Sequence, residues 1–242
     1  MKALILAGGR GKRLEQRSAH RNKCMLEFSG KPLIEYSLAN CAKIDPEEIV
    51  VVVGYLAEQI VNYYGNRYQG IKISYAIQSE QRGLVHAIET AGKFIGTADF
   101  MLFLADEILL EPNHTGMLQA YREGGVFGLC GTTIARNENA VRKTYAVFED
   151  QDKRILRLVE KPRRKINEYQ GTGNILLSNE ILKYIDCTPV NPSRNEKELP
   201  DLIQCAIDDG HIVKSFPIGG EYININTAED IALADEALRS VA

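Results

Sequence analysis

The chain has 242 residues, 45% apolar and 25% charged, with 29 basic against 32 acidic side chains and a net charge of −3. That composition supports a buried core and excludes a disordered, collagen-like or coiled-coil chain; the near balance of charge leaves no general field for nucleic acid or an anionic membrane. The length falls between one large α/β domain and two small ones, and no apolar run approaches the ~18 residues of a membrane span.

Lys2 to Ala7 is a short apolar run that stops in Gly8-Gly9-Arg10-Gly11, which predicts a buried strand and a turn rather than a signal peptide. Residues 31–43 place Leu33, Tyr36, Leu38 and Cys41 at near-helical spacing after Pro32. Ile49 to Val53 is an unbroken β-branched run, which predicts a strand buried on both faces. A helix over 56–64 ended by Gly65, a strand over 71–77 and a helix over 83–94 follow, then an apolar strand over 100–105 that ends at Asp106. Repeated βα units predict a parallel sheet covered by helices on both faces, with ligands beyond the carboxyl ends of its strands.

The second half is less regular. It predicts a helix over 113–122 and strands over 126–134, 144–148 and 154–159, the last two joined by a polar hairpin. A short strand over 174–177, a helix over 179–184 and a surface loop over the proline-bearing 186–200 come next. A helix over 202–209, strands over 213–217 and 222–225, and a final helix capped by Thr227 with Asp230 three residues later complete the reading. The five cysteines are widely spaced with no CxxC pair, which points to a reducing compartment, the cytoplasm.

Three segments fall at the expected ligand edge: the glycine turn after the first strand, Gln78 to Gly83, and Asp106. Without a Cβ, Gly8, Gly9 and Gly11 let backbone N–H groups approach an anion, and the basic cluster from Arg10 to Arg21 suits a polyphosphate. The P-loop pattern fails because Arg13 follows Lys12, and the dinucleotide fingerprint lacks its third glycine. On the glycines alone, a tight turn beside a solvated charge run fits as well.

The motifs, taken together, resemble the sugar-1-phosphate nucleotidyltransferase family, the glucose-1-phosphate thymidylyltransferases included. Gly8, Gly9, Gly11, Arg13 and Leu14 match its glycine-rich signature; Lys23 and Gly30-Lys31-Pro32 follow, with Lys12 and Asn22 as departures. Gln78 with Arg82-Gly83-Leu84 resembles the nucleobase-reading segment. Leu104-Ala105-Asp106 resembles the metal-binding turn and Tyr145-Ala146-Val147 the YGV strand. Val159-Glu160-Lys161-Pro162 resembles the sugar-phosphate motif, Thr172-Gly173-Asn174 the sugar-contacting strand, and 222–230 the closing segment.

The resemblance implies a Rossmann-like, mixed but mainly parallel α/β sheet flanked by helices, with a smaller sugar-binding subregion. It implies a single domain, with 1–110 as the nucleotide-binding half and 111–242 as the sugar-phosphate half with the closing helix. The sequence leaves no room for the left-handed β-helix domain of longer members. The implied reaction joins a nucleoside triphosphate and a sugar 1-phosphate and releases pyrophosphate, so the site must neutralise two approaching anions. Arg13 and Lys23 are then the catalytic candidates. Leu6, Ala7, Gly8, Gly9, Gly11, Gln78 and Gly83 bind nucleotide. Tyr145, Glu160, Lys161 and Asn174 bind the sugar phosphate. Asp106 holds Mg2+, with Asn224 or Asn226 where the family often has a second aspartate; counting back from Thr227 favours Asn224. Self-association is a further implication. Two other readings stay open: a cytidylyltransferase for a non-sugar phosphate or phosphonate, and a non-catalytic paralogue that binds nucleotide sugars.

Overall fold

Odd and even residues of the first strand enter different cores. In the computed structural model, which describes residues 1–11, 14, 20–165 and 167–241, Leu4 and Leu6 of Lys2–Ala7 pack on one side and Ala3, Ile5 and Ala7 on the other. Side chains alternate across a strand, so a strand buried on both faces must be apolar at every position. Ile49–Val53 meets that requirement with five buried residues. Helices Leu84–Ile95 and Leu199–Asp208 cover the first face, and Leu33–Ala42, Ala57–Tyr64 and His114–Arg122 the second. Each fully buried Leu or Ile in these layers contributes roughly 2 kcal/mol of transfer free energy.

The sheet has eight strands, in the order Val213–Pro217, Gly128–Ile134, Tyr169–Leu177, Phe100–Leu104, Lys2–Ala7, Ile49–Val53, Ile71–Ile77 and Arg67–Tyr68. Tyr169–Leu177 runs antiparallel to both its neighbours and Arg67–Tyr68 antiparallel to the strand it borders; the other pairings are parallel. The sheet is therefore mixed and mainly parallel, and it takes strands from both halves of the chain. Gly8, Gly54, Gln78 and Asp106 all follow carboxyl ends of parallel strands, which gathers them on one edge.

Local chemistry fixes the element ends. Gly65 closes Ala57–Tyr64 at φ 60°, and Asn113 caps His114–Arg122 through Gly116 N–H. Thr227 and Asp230 cap the final helix, Ala228–Val241, reciprocally: Asp230 Oδ2 accepts from Thr227 N–H, and Thr227 Oγ1 from Asp230 N–H.

Three expectations are corrected. The strand expected over 174–177 begins at Tyr169, because Gly171 and Gly173 seat neighbouring side chains instead of breaking it. The segment expected as a loop over 186–200 contains the hairpin Val190–Asn191 with Glu196–Lys197, and Leu199–Asp208 starts inside it with Pro200 in its first turn. Asn179–Tyr184 is a 3-10 helix. Elements that were not expected include the edge strand Arg67–Tyr68, the short helix Glu138–Lys143 capped by Asn137, and Glu107–Leu109, a strand that pairs antiparallel with Tyr222–Asn224. Among the described residues the five cysteines are unpaired, and no helix is long and apolar enough to cross a membrane.

Candidate active site

The short segment Lys23–Met25 is held by Asn22, which departs from the proline that the sequence resemblance leads one to expect. Its Oδ1 accepts from Cys24 N–H at 2.8 Å and its Nδ2 donates to Tyr55 O at 2.6 Å. This aims the Lys23 stem beneath Gly11, whose φ is +62° and whose absent Cβ would fall 2.9 Å from Lys23 Cβ.

Lys23 Nζ ends 2.7 Å from Asp106 Oδ2 and 3.2 Å from Asn226 Oδ1. Asn226 Nδ2 donates to Asn224 Oδ1 at 2.6 Å, so the Asn224 oxygen is turned to its neighbour while the Asn226 oxygen faces the ammonium. The closing segment is locked from below: Asp230 Oδ2 accepts from Asn226 N–H at 2.9 Å, and Asp230 Oδ1 from Lys143 Nζ at 2.7 Å. Of the two asparagines, Asn226 is the one whose carbonyl oxygen shares the Lys23 ammonium with Asp106. The donor set is one carboxylate and amide oxygens, and no cluster of three His, Cys, Asp or Glu able to hold a metal occurs among the described residues. Two oxygens already converge on a cation, the Lys23 ammonium, so their chemistry fits a hard divalent ion whose remaining positions go to water and phosphate.

On the nucleotide side, Gln78 is buried beside Gly8, where a Cβ would fall 2.6 Å from Gln78 Oε1. Its Nε2 donates to Gly83 O at 3.2 Å and lies 2.9 Å from His86 Nδ1. Gly83 opens helix Leu84–Ile95 at φ 90° and lies against Glu196 of the corrected hairpin. Arg10 lies over the Tyr55 ring at 5.3 Å. Arg13, with Lys12 and Arg17, lies outside the described residues.

A half-open cavity of about 100 Å3 adjoins this edge. Tyr145, Glu160 and Lys161 line it, together with Asn224, Leu104, Thr172 and Gly173. The Tyr145 ring occupies the space that a Cβ on Gly171 would take, and its hydroxyl donates to Thr172 O at 3.1 Å. Lys161 Nζ pairs with Glu160 Oε1 at 3.0 Å, and Arg194 reaches the same oxygen at 3.3 Å. Thr144 also lines the cavity, and its buried hydroxyl has no hydrogen-bond partner among the described residues.

Asn174 lies behind the cavity wall. It does not line the cavity: its buried amide accepts from His114 Nε2 at 2.8 Å and donates to Glu107 Oε2 at 3.3 Å. In the free chain its amide thus supports Glu107 behind Gly173. Burial pushes the His114 pKa down to about 4, which leaves a neutral ring and an Nε2–H donor.

Sequence reasoning missed Glu107, Lys143, Thr144 and Arg194. Glu107 lines the cavity although it is 5% exposed. Burial, then the adjacent Asp106 charge, push its pKa up to about 8, against the Tyr222 hydroxyl and Gly173 N–H that pull it down. Its only sequence signal is adjacency to Asp106.

The nucleotidyl transferase family pattern matches residues 2–232. UTP–glucose-1-phosphate uridylyltransferase AglF of Haloferax volcanii is 32% identical over 99% of this chain and 97% of its own. A glucose-1-phosphate thymidylyltransferase of Streptomyces griseus is 29% identical over 96% of this chain, which spans 64% of that relative's length. A solved UDP-glucose pyrophosphorylase complexed with UDP-glucose superposes with a TM-score of 0.90 at 21% identity, covering 100% of this chain and 99% of that one.

Proposed function

The chain belongs to the nucleotidyl transferase family, and we propose that it transfers a nucleoside monophosphate from a nucleoside triphosphate to a sugar 1-phosphate, releasing pyrophosphate and forming a nucleoside-diphosphate sugar. The observation that carries this reading is the Lys23, Asp106 and Asn226 cluster, set at the ligand edge of the sheet and joined through Asn224 to the cavity wall. The two relatives described above are named for uridylyl and thymidylyl transfer to glucose 1-phosphate, which supports a pyrimidine donor and a hexose acceptor.

The division of labour follows the charges. The backbone N–H groups of Gly8, Gly9 and Gly11, beyond the strand end at Leu6 and Ala7, receive the triphosphate; Gln78 and Gly83 frame the base. Lys23 exchanges its carboxylate partner for the α-phosphate, and Arg13 offsets charge on the departing pyrophosphate. Lys161 holds the sugar phosphate as a point charge, Glu160 accepts from a sugar hydroxyl, and Tyr145 shapes the wall between them. A phosphate oxygen of the sugar attacks the α-phosphorus in line with the leaving pyrophosphate. Asp106 and Asn226 would hold Mg2+, which when bound neutralises phosphate charge. The work belongs in the cytoplasm, where thiols stay reduced.

The test is pyrophosphate release from each common nucleoside triphosphate mixed with a panel of sugar 1-phosphates, phosphocholine and a phosphonate. Release that requires both a triphosphate and a sugar 1-phosphate supports the reading. Release with phosphocholine or the phosphonate alone replaces the acceptor, and tight binding of a nucleoside-diphosphate sugar without turnover replaces the enzyme by a binding protein.

A further inference from the structure

The cavity wall carries a carboxylate that the reaction above leaves without a task. Glu107 follows Asp106 and sits opposite Asn224 in the two-stranded pairing with Tyr222–Asn224. The groups hydrogen-bonded to its carboxyl oxygens are all donors, and the like charge of Asp106 lies beside it. Gly173 N–H reaches Oε1 at 3.1 Å and Oε2 at 3.0 Å, the Tyr222 hydroxyl reaches Oε1 at 2.5 Å, and Asn174 Nδ2 reaches Oε2 at 3.3 Å. The Asn174 amide is oriented in turn by His114 Nε2–H on its Oδ1. Gly173 has no space for a side chain here, since a Cβ would fall 2.8 Å from Glu107 Oε2 and 2.3 Å from Leu104 Cγ.

One side chain thus ties three segments that are distant in sequence: the acidic turn with Asp106, the closing strand with Tyr222 and Asn224, and the wall strand with Gly173. All three border the same cavity. No hydrogen bond joins Glu107 to Gly8, Gln78 or Gly83, the nucleotide-side residues. A carboxyl group held by these donors also sets their directions, because a buried N–H or O–H left without an acceptor costs about 1–3 kcal/mol.

We propose that Glu107 is a positioning residue for the sugar-phosphate substrate, holding the Gly173 backbone and the Tyr222 ring in fixed register with Asp106. It acts through its neighbours, and it rests on the reading of this cavity as the sugar-phosphate side. Loss of the carboxylate therefore weakens the sugar phosphate and leaves the triphosphate nearly untouched.

The experiment is steady-state pyrophosphate release by wild type, by Glu107→Gln and by Glu107→Gln combined with Asn174→Asp. Glutamine keeps one oxygen for Gly173 N–H and Tyr222 but turns an NH2 group toward the Asn174 NH2, donor against donor. The expected result is a rise of at least about tenfold in KM for the sugar 1-phosphate, with KM for the triphosphate within about twofold of wild type. Adding Asn174→Asp gives the new amide and His114 Nε2–H a shared acceptor, and KM returns to within about threefold of wild type. If Glu107→Gln does not fold, Tyr222→Phe removes one donor and should raise the same KM alone. Equal rises in both KM values, a fall in thermal stability with both KM values unchanged, or no recovery in the double variant overturns the proposal. A wild-type protein that releases no pyrophosphate with any sugar 1-phosphate overturns the functional reading instead, and the proposal with it.

Discussion

Lys23 and Asp106 meet at 2.7 Å across 83 positions of sequence, with the lysine side chain 7% exposed and the aspartate 29%. The strand end that carries Asp106 and the turn that carries Lys23 are brought together by the parallel pairing of Lys2–Ala7 with Phe100–Leu104. An ammonium so deeply placed needs a partner in the free protein, and Asp106 and Asn226 supply it. An arriving triphosphate offers a stronger one. The pair therefore keeps the site nearly neutral until the substrate anions replace it.

Asp106→Asn removes one charge and little volume. It should lower kcat/KM by at least about 10²-fold, the order seen when one electrostatic contact to a transition state is lost. The Mg2+ concentration for half-maximal rate should rise in the same titration. An unchanged metal dependence would remove Asp106 from that role.

Gly11→Ala forces a side chain into the left-handed region and against the lysine stem. The backbone alone should cost about 1–2 kcal/mol. Thermal unfolding should fall by several degrees, and kcat should fall with it because Lys23 is displaced. Loss of stability with an unchanged kcat would mean that Lys23 does not need this approach.

Thr144→Val replaces a buried hydroxyl without a partner among the described residues by a methyl group of similar shape. The free protein should gain about 1 kcal/mol, seen as a rise of roughly 2–4 °C in Tm. A lowered Tm would show that the hydroxyl is bonded in the free protein.

His114 gives a pH signature. Its folded pKa, pushed down to about 4, lies below the ordinary value of 6.5, so the unfolded chain binds more protons between those limits. Stability is then complete above pH 6.5 and is lost as pH falls toward 4, by roughly 3 kcal/mol at most. Denaturant unfolding at pH 7 and pH 4.5 should show a larger difference for wild type than for His114→Gln. Equal differences would remove His114 as the source.

Much of this was readable from residue order. Ile49–Val53 is apolar at every position because both its faces are covered, and Thr227 with Asp230 marks a helix start by short-range chemistry alone. Asp106 stands out because a charge ends a fully apolar run. Glu107 does not: next to Asp106 it reads as part of a polar turn, and its burial is set by Tyr222, 115 positions later. Gly171 and Gly173 precede the strand expected over 174–177, and only the fold shows that they make room for Tyr145 and Leu104. The strands Val190–Asn191 and Glu196–Lys197 are too short for any periodicity to mark.

The most direct test is a crystal structure of the wild-type protein with Mg2+ and a non-hydrolysable nucleoside triphosphate analogue. Its phosphates should lie against the Gly8 to Gly11 backbone, with Lys23 Nζ turned from Asp106 to the α-phosphate. Triphosphate density at another place, with Lys23 still paired to Asp106, would contradict the account.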